Sequence, residues 1–199
     1  MAKKAYIGIG GKARKIKRIY FGVAGKARKV KRAYIGVGGK ARLFFSGGEL
    51  AYAGAITPLS QARTGLAGVS IGNYALFGGG YRRYGSVTSE VSHYNLVDVY
   101  NTSLVRSLAT NLSAARRDMA TTTIGNYALF GGGGYYKGTG SSYTMYSIVD
   151  AYDTSLVKTN PTVLSAAREY LSATTVGNYA LFGGGTNHKV EAHCPSNAV

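Results

Sequence analysis

Three arginines recur at equivalent places in the chain. Arg63, Arg116 and Arg168 each close an LSxAR motif: LSQAR at 59–63, LSAAR at 112–116 and LSAAR at 164–168. A guanidinium offers a planar fork of donors to carboxylates, phosphates or carbonyls. The repeated acids Asp98 and Asp150, or neighbouring carbonyls, are the natural acceptors, so these arginines are expected to close each unit rather than bind a unique ligand. The histidines, His93, His188 and His193, fall in different repeat contexts. His193 adjoins the single cysteine, Cys194, but two adjacent donors do not make a tetrahedral metal site. One cysteine also excludes an intramolecular disulfide framework. Glycine runs at 78–80, 131–134 and 183–185 resemble phosphate cradles only in composition, since no Lys-Ser/Thr pair or helix start follows them. They are expected to be structural, at the crowded end of each unit. No nucleophile elbow, zinc-protease motif or paired carboxylates at equivalent sites are visible. The chain is therefore expected to have no catalytic residue, no metal ligand and no cofactor.

Binding chemistry is better represented. Two variable segments, YRRYGSVTSEVSHYN (81–95) and GYYKGTGSSYTMYS (134–147), and a shorter TNHK (186–189), sit in a nearly constant frame. Tyr, Ser and Gly are the residues of adaptable binding loops: Tyr gives rigid amphipathic contact, and Ser and Gly give fit. The candidate ligand-binding residues are Tyr81, Arg82, Arg83, Tyr84, Tyr135, Tyr136, Tyr143, Tyr146 and His188. A second group is basic: Lys12, Arg14, Lys15, Lys17, Arg18, Lys26, Arg28, Lys29, Lys31 and Arg32. These could dock on an acidic partner, drive self-assembly through exposed strand edges, or neutralise phosphates of a nucleic acid or a surface polyanion. Tyr6, Tyr20 and Tyr34 could stack on bases, or simply pack a strand.

The elements that must position these residues come from two families of repeats. Residues 1–46 carry 14 basic residues and no acid, whereas 47–199 carry 10 basic and 8 acidic ones. This charge step predicts two domains, 1–46 and 49–199, divided near Ser46-Gly47-Gly48. The first repeats every 14 residues, as AYIGIGGKARKIKR, IYFGVAGKARKVKR and AYIGVGGKARLFFS, with Gly-containing pairs at 10–11, 24–25 and 38–39. Two-residue glycine links suit tight hairpins. The Pro-free stretches 12–23 and 26–37 predict a β-meander of about four long strands; a rival reading splits each stretch into two shorter ones. The second domain repeats about every 52 residues, as IGNYALFGGG (71–80, 124–133, with VGNYALFGGG at 176–185) and VDVYNTSLV, VDAYDTSLV and VEAHCPSNAV show. Each unit predicts four short strands, at 121–124, 127–130, 148–152 and near 156–159 in the second copy. The third copy stops after its third strand. Segment 49–57 is expected to supply one leading strand. The 29 Gly, 17 Tyr and 3 Pro with no Trp fit short strands and tight turns. No apolar run reaches the roughly 18–20 residues of a membrane span, and no secretory signal is visible at the basic start.

The motif order of 51–199 resembles the kelch repeat. Phe130-Gly131-Gly132, Val149-Asp150-Ala151-Tyr152-Asp153 and 164–168 carry the match, although the usual late Trp is missing. The resemblance implies an all-β chain: an N-terminal β-meander followed by three kelch-like β-propeller blades. The pairing of basic 14-residue repeats with Tyr/Gly-rich kelch-like units is similar to minor structural proteins of phage and prophage tails from Gram-positive gut bacteria. That resemblance implies a non-enzymatic virion component, made in the bacterial cytoplasm, that binds a cell-surface glycan or protein. Its implied partners are other virion or tail proteins and further copies of itself. A bacterial surface adhesin and a nucleic-acid-binding protein are the alternatives. Three blades are too few to close a ring, since propellers use about 4–8, so a homo-oligomer is expected, a dimer before a trimer.

Overall fold

Every regular element among the described residues is a β-strand. The computed structural model describes residues 6–9, 12–15, 20–23, 26–30, 32–37, 40–46, 52–84, 91–136, 143–186 and 189–194. The chain divides into two compact units, Met1–Ala55 and Ile56–Val199.

The first unit holds three antiparallel hairpins: β1 (Tyr6–Ile9) with β2 (Lys12–Lys15), β3 (Tyr20–Val23) with β4 (Lys26–Lys29), and β5 (Arg32–Val37) with β6 (Lys40–Ser46). The expected meander of long strands is therefore corrected. Each 12-residue stretch holds two short strands, and each hairpin is its own two-stranded sheet. The registers set Ile9 opposite Lys12, Val23 opposite Lys26 and Val37 opposite Lys40, while the glycine pairs themselves lie outside the described residues. β6 is the longest strand because the third repeat ends Leu43-Phe44-Phe45 in place of the charged ends of the first two. Aromatic and apolar residues suit a pleated strand better than adjacent like charges.

The second unit is built from three successive sheets. β7 (Ala67–Ile71), β8 (Tyr74–Gly78), β11 (Val97–Tyr100) and β12 (Arg106–Leu108) form the first. Between β8 and β11 the chain makes a side hairpin, β9 (Tyr81–Arg83) with β10 (Val91–His93). β13 (Ala120–Ile124), β14 (Tyr127–Gly131), β17 (Val149–Asp153) and β18 (Lys158–Thr159) form the second sheet, with β15 (Gly134–Tyr136) and β16 (Tyr143–Met145) as its side hairpin. β19 (Leu171–Val176), β20 (Tyr179–Gly184) and β21 (Val190–His193) form the third, which has three strands among the described residues. The Gly-Asn turns open each sheet, with φ of 54°, 53° and 54° at Gly72, Gly125 and Gly177. Positive φ at the first central position is what a type II′ hairpin requires. Two further expectations are corrected here. The variable segments fold partly as hairpins rather than loops. Residues 52–57 of the leading segment form no strand, and Tyr52 is exposed.

Successive sheets share two apolar cores. Leu76, Val97 and Val99 of the first sheet meet Ala128, Phe130 and Tyr152 of the second. Leu129, Val149 and Ala151 of the second meet Ala180 and Phe182 of the third. Full burial of such side chains contributes about 1.5–3 kcal/mol each. An edge-on aromatic pair recurs in every sheet: Phe77–Tyr100 at 5.9 Å, Phe130–Tyr152 at 5.8 Å and Phe182–His193 at 5.7 Å. Hydroxyl bonds staple the first two sheets to the chain before them, from Tyr100 to the Thr57 carbonyl at 2.8 Å and from Tyr152 to the Thr110 carbonyl at 2.7 Å.

Candidate binding face

The repeated arginines are committed to the fold. Arg63 Nη2 lies 2.8 Å from Asp98, Arg116 Nη2 2.6 Å from Asp150 and Arg168 Nη2 2.8 Å from Glu191. Each guanidinium also donates to carbonyls of its own sheet: Arg63 to Gly79 and Phe77, Arg116 to Gly132, Ile148 and Phe130, and Arg168 to Lys189 and Phe182. The serine of each LSxAR motif completes the clamp. Ser60 donates N–H and hydroxyl to Asp98, Ser113 does the same to Asp150, and Ser165 donates its N–H to Glu191. Burial opposes ionisation of Asp98 and Asp150, yet the bonds from Ser60, Arg106 and Arg63, and from Ser113 and Arg116, hold both carboxyls below the usual carboxylate range. Sequence reasoning placed the arginines and Asp98 and Asp150, but not the serines or Glu191.

The side hairpins carry the groups left for a ligand. Backbone bridges Thr64–Tyr81 and Arg117–Gly134 hold the base of each hairpin against the residue that follows an LSxAR motif. The Tyr81 ring stacks on His93 at 5.8 Å, and His93 lies 4.5 Å from Tyr135 of the neighbouring hairpin. Tyr136 N–H donates to His93 Nε2 at 3.3 Å, tying the two hairpins together. The Arg117 guanidinium lies 4.7 Å above the Tyr81 ring, within cation–π range. Burial, with Arg117 adding, pushes the His93 imidazole down to about 4, so it is neutral near pH 7. Tyr81, Arg83, Val91, His93, Arg117 and Tyr136 line a cleft of about 260 Å³. A shallower recess of about 390 Å³ runs from Ala62, Arg63 and Thr64 to Tyr81, Arg82 and Arg83.

Of the candidate ligand residues, Tyr81, Arg83 and Tyr136 therefore meet in one cleft, with Tyr135 against its histidine. Arg82 covers the Tyr84 ring at 4.7 Å, and the Tyr84 and Tyr94 hydroxyls are 3.3 Å apart. Tyr143 stands apart beside buried Glu169; burial and that carboxylate push its hydroxyl well above the usual range. Tyr146 is tied through its backbone to Gly133 and Arg168. His188 lies outside the described residues. In the basic group, Lys12, Arg14, Lys15, Lys26, Arg28, Lys29 and Arg32 fall on strands, while Lys17, Arg18 and Lys31 lie outside the described residues.

Arg117, Asp118, Glu169 and Tyr170 escape sequence reasoning. They occupy the two positions after each repeated arginine, where the copies diverge as Thr64-Gly65, Arg117-Asp118 and Glu169-Tyr170. That divergence next to a constant motif is the signal that could have found them. Gly65, Asp118 and Tyr170 share a left-handed backbone, with φ of 64°, 54° and 56°. Asp118 N–H donates to the Gly65 carbonyl and Tyr170 N–H to the Asp118 carbonyl, joining the three units. Such a conformation costs a tyrosine of order 1–3 kcal/mol. It leaves the ring 61% exposed beside the second hairpin.

No family model matches the chain and no curated protein is similar to it. Among solved structures 126 chains resemble it. One, "Structure of YjhT", aligns with a TM-score of 0.57 at 15% identity, covering 74% of this chain and 47% of that one. The chain thus spans about half the length of that structure, and the likeness is one of fold. Among the described residues no three His, Cys, Asp or Glu side chains gather to hold a metal ion, and no helix is long and apolar enough to cross a membrane.

Proposed function

We propose that the sheets of the second unit are kelch-like β-propeller blades, and that the chain is a non-enzymatic structural and receptor-binding component of a phage or prophage tail. One observation carries this reading. The sheets repeat the same clamps, turns and aromatic pairs, while the side hairpins between their second and third strands differ in length and sequence. A constant scaffold with variable Tyr- and Arg-rich hairpins is the division of labour expected of a recognition protein. The ligand face is the paired hairpins, where Tyr81, Arg83, Tyr136, His93 and Arg117 surround one cleft. Stacked tyrosines beside guanidinium donors suit a hydroxyl-rich glycan or a protein loop. The basic 14-residue repeats serve attachment to the particle.

The test is binding of the fluorescently labelled chain to intact Gram-positive cells and to their isolated wall polysaccharide. Arg82, Arg83 and Tyr84 are exposed, so replacing all three by Ser should shift stability by no more than about 0.5 kcal/mol per site. Cell binding should fall at least about tenfold. Undiminished binding by this variant, and by a Tyr136→Ser variant, would remove the hairpin face from the function. A nucleic-acid role for the basic repeats, the second reading, rests on the 14 positive charges of residues 1–46. It requires DNA affinity that falls steeply with salt, with a log–log slope set by the number of phosphates neutralised.

A further inference from the structure

The two cores of the second unit repeat a single contact, and that contact leaves two unmatched faces. Each sheet has a phenylalanine face and a receiving face. In the second sheet Ala128, Phe130 and Tyr152 fill the core shared with the first, and in the third Ala180 and Phe182 fill the core shared with the second. The Phe ring lands on a glycine of the preceding sheet. A Cβ on Gly78 would lie 2.8 Å from the Phe130 ring, and one on Gly131 2.5 Å from the Phe182 ring. Around each glycine, Leu76, Val97 and Val99, or Leu129, Val149 and Ala151, form the receiving surface.

The first sheet has no preceding sheet packed on its phenylalanine face among the described residues, and that face is only partly covered. Phe77, the counterpart of Phe130 and Phe182, is only half-buried, in an open apolar recess of about 520 Å³ with Ile56, Leu59, Leu66 and Tyr100. The third sheet keeps its receiving face uncovered. Val190 is 67% exposed there, whereas its counterparts Val97 and Val149 are 0% exposed. At Gly183 the three atoms nearest an added Cβ all belong to the Val190 side chain, where Gly78 and Gly131 meet a phenylalanine ring.

We propose that these two faces bind each other between copies of this chain, Phe77 of one copy seating on Gly183 and Val190 of the next. The occupant is identified by the molecule's own packing, since the same residue pattern is covered by the same partner pattern at both internal junctions. Knob and socket lie on different sheets, so the interface is heterologous and repeats head to tail until it closes. Among the described residues, the second unit of each copy brings three such sheets. Two copies bring six, inside the range of about 4–8 blades that closes a propeller, and three copies overshoot it. The interface follows from the packing alone; the closure at two copies rests on the propeller reading made above.

Sedimentation velocity of the full chain at micromolar concentration should give the mass of a dimer. Phe77→Glu and Val190→Glu each place a charge in the shared core and should each weaken self-association at least about tenfold. Val190 is 67% exposed before association, so Val190→Glu should keep the thermal transition of the parent chain, and it carries the test alone if the partly buried Phe77 does not tolerate a glutamate. An equimolar mixture of the two variants retains one intact knob and one intact socket, and should recover dimers that neither forms alone. In a Cys194→Ser background, Ala75→Cys with Ala192→Cys should yield covalent dimers with a short bismaleimide, because their counterparts Ala128 and Val99 share one core. A monomeric parent chain overturns the proposal. So does an oligomer indifferent to both glutamates, or one that fails to cross-link at these cysteines. A head-to-tail trimer keeps the interface and overturns closure at six blades. None of the substituted residues lies on the hairpin face, so failure here leaves receptor binding to its own test.

Discussion

Asp150 is fully buried with donors from four side chains around it: Ser113, Arg116, Lys158 and Asn160. An uncompensated carboxylate there would cost several kcal/mol, and the clamp turns that liability into a link between the LSxAR motif and the third strand of its sheet. Asp150→Asn keeps the volume but leaves Arg116, itself fully buried, without its counter-charge. Stability at neutral pH should fall by about 3–5 kcal/mol, measured by denaturant unfolding. The pH dependence has a fixed sign. The folded carboxyl titrates below its unfolded value of about 3.9, so its stabilisation is complete above that value and is lost as pH falls through the folded one. The acid limb of the parent protein should therefore be steeper than that of Asp150→Asn. Equal limbs would mean that the clamp is not ionised in the folded state. The third clamp varies the theme, with Glu191 for Asp and His193 for Tyr152, yet keeps both the ion pair and the edge-on ring contact.

At the scale of the elements, the junction between successive sheets depends on close backbone approach as well as on the shared cores. Gly132 has φ of 68°, and a Cβ there would lie 2.6 Å from the Arg168 carbonyl, at the start of the next unit. Gly177 has φ of 54° in a hairpin turn, where a Cβ would meet nothing within 4 Å. Both positions strain an L-residue, but only Gly132 adds a clash. Alanine at Gly132 should destabilise by clearly more than about 1 kcal/mol, and by more than alanine at Gly177, in parallel urea titrations; equal costs would show that the close approach is unimportant. The same contrast explains what was legible. Gly-Asn turns, glycine runs and the Val-Asp-x-Tyr strands announce themselves locally, so the sheets of the second unit fall within one or two residues of expectation. In the first unit no Pro or Gly lies between Lys15, which ends one strand, and Tyr20, which begins the next, so two short strands per stretch were legible only as the rival reading. The side hairpins were hidden for the opposite reason: Ser- and Gly-rich composition masked strands whose pairing, Tyr81 opposite His93 and Tyr136 opposite Tyr143, depends on non-local register. The site residues Arg117 and Glu169 were hidden because their partners come from other units.

At the scale of the whole molecule, the charge step lies near residue 46, and the two compact units divide later, between Ala55 and Ile56. Residues 1–46 hold 14 of the 24 basic residues, and nine of these fall on the strands of three hairpins that each form a separate two-stranded sheet. A two-stranded hairpin alone is marginally stable in water, and its edges are templates for further pairing. An array of such hairpins with no acidic residue is thus suited to being completed by something else, whether an anionic surface or the edges of another copy. The second unit needs no such completion to fold, because both of its cores and all three carboxylate clamps lie within Ile56–Val199. Removing residues 1–46 should therefore leave a folded protein with the thermal transition of the parent second unit. It should also retain the Phe77–Gly183 association, and lose both assembly beyond that ring and retention on an immobilised polyanion as its net charge drops from +16 to +2. Light scattering at low salt, calorimetry and elution from a sulfated resin test the three parts together. An unfolded truncation would show that the second unit depends on the first. Unchanged assembly size and unchanged retention would show that the basic hairpins are neither the assembly element nor the polyanion-binding one.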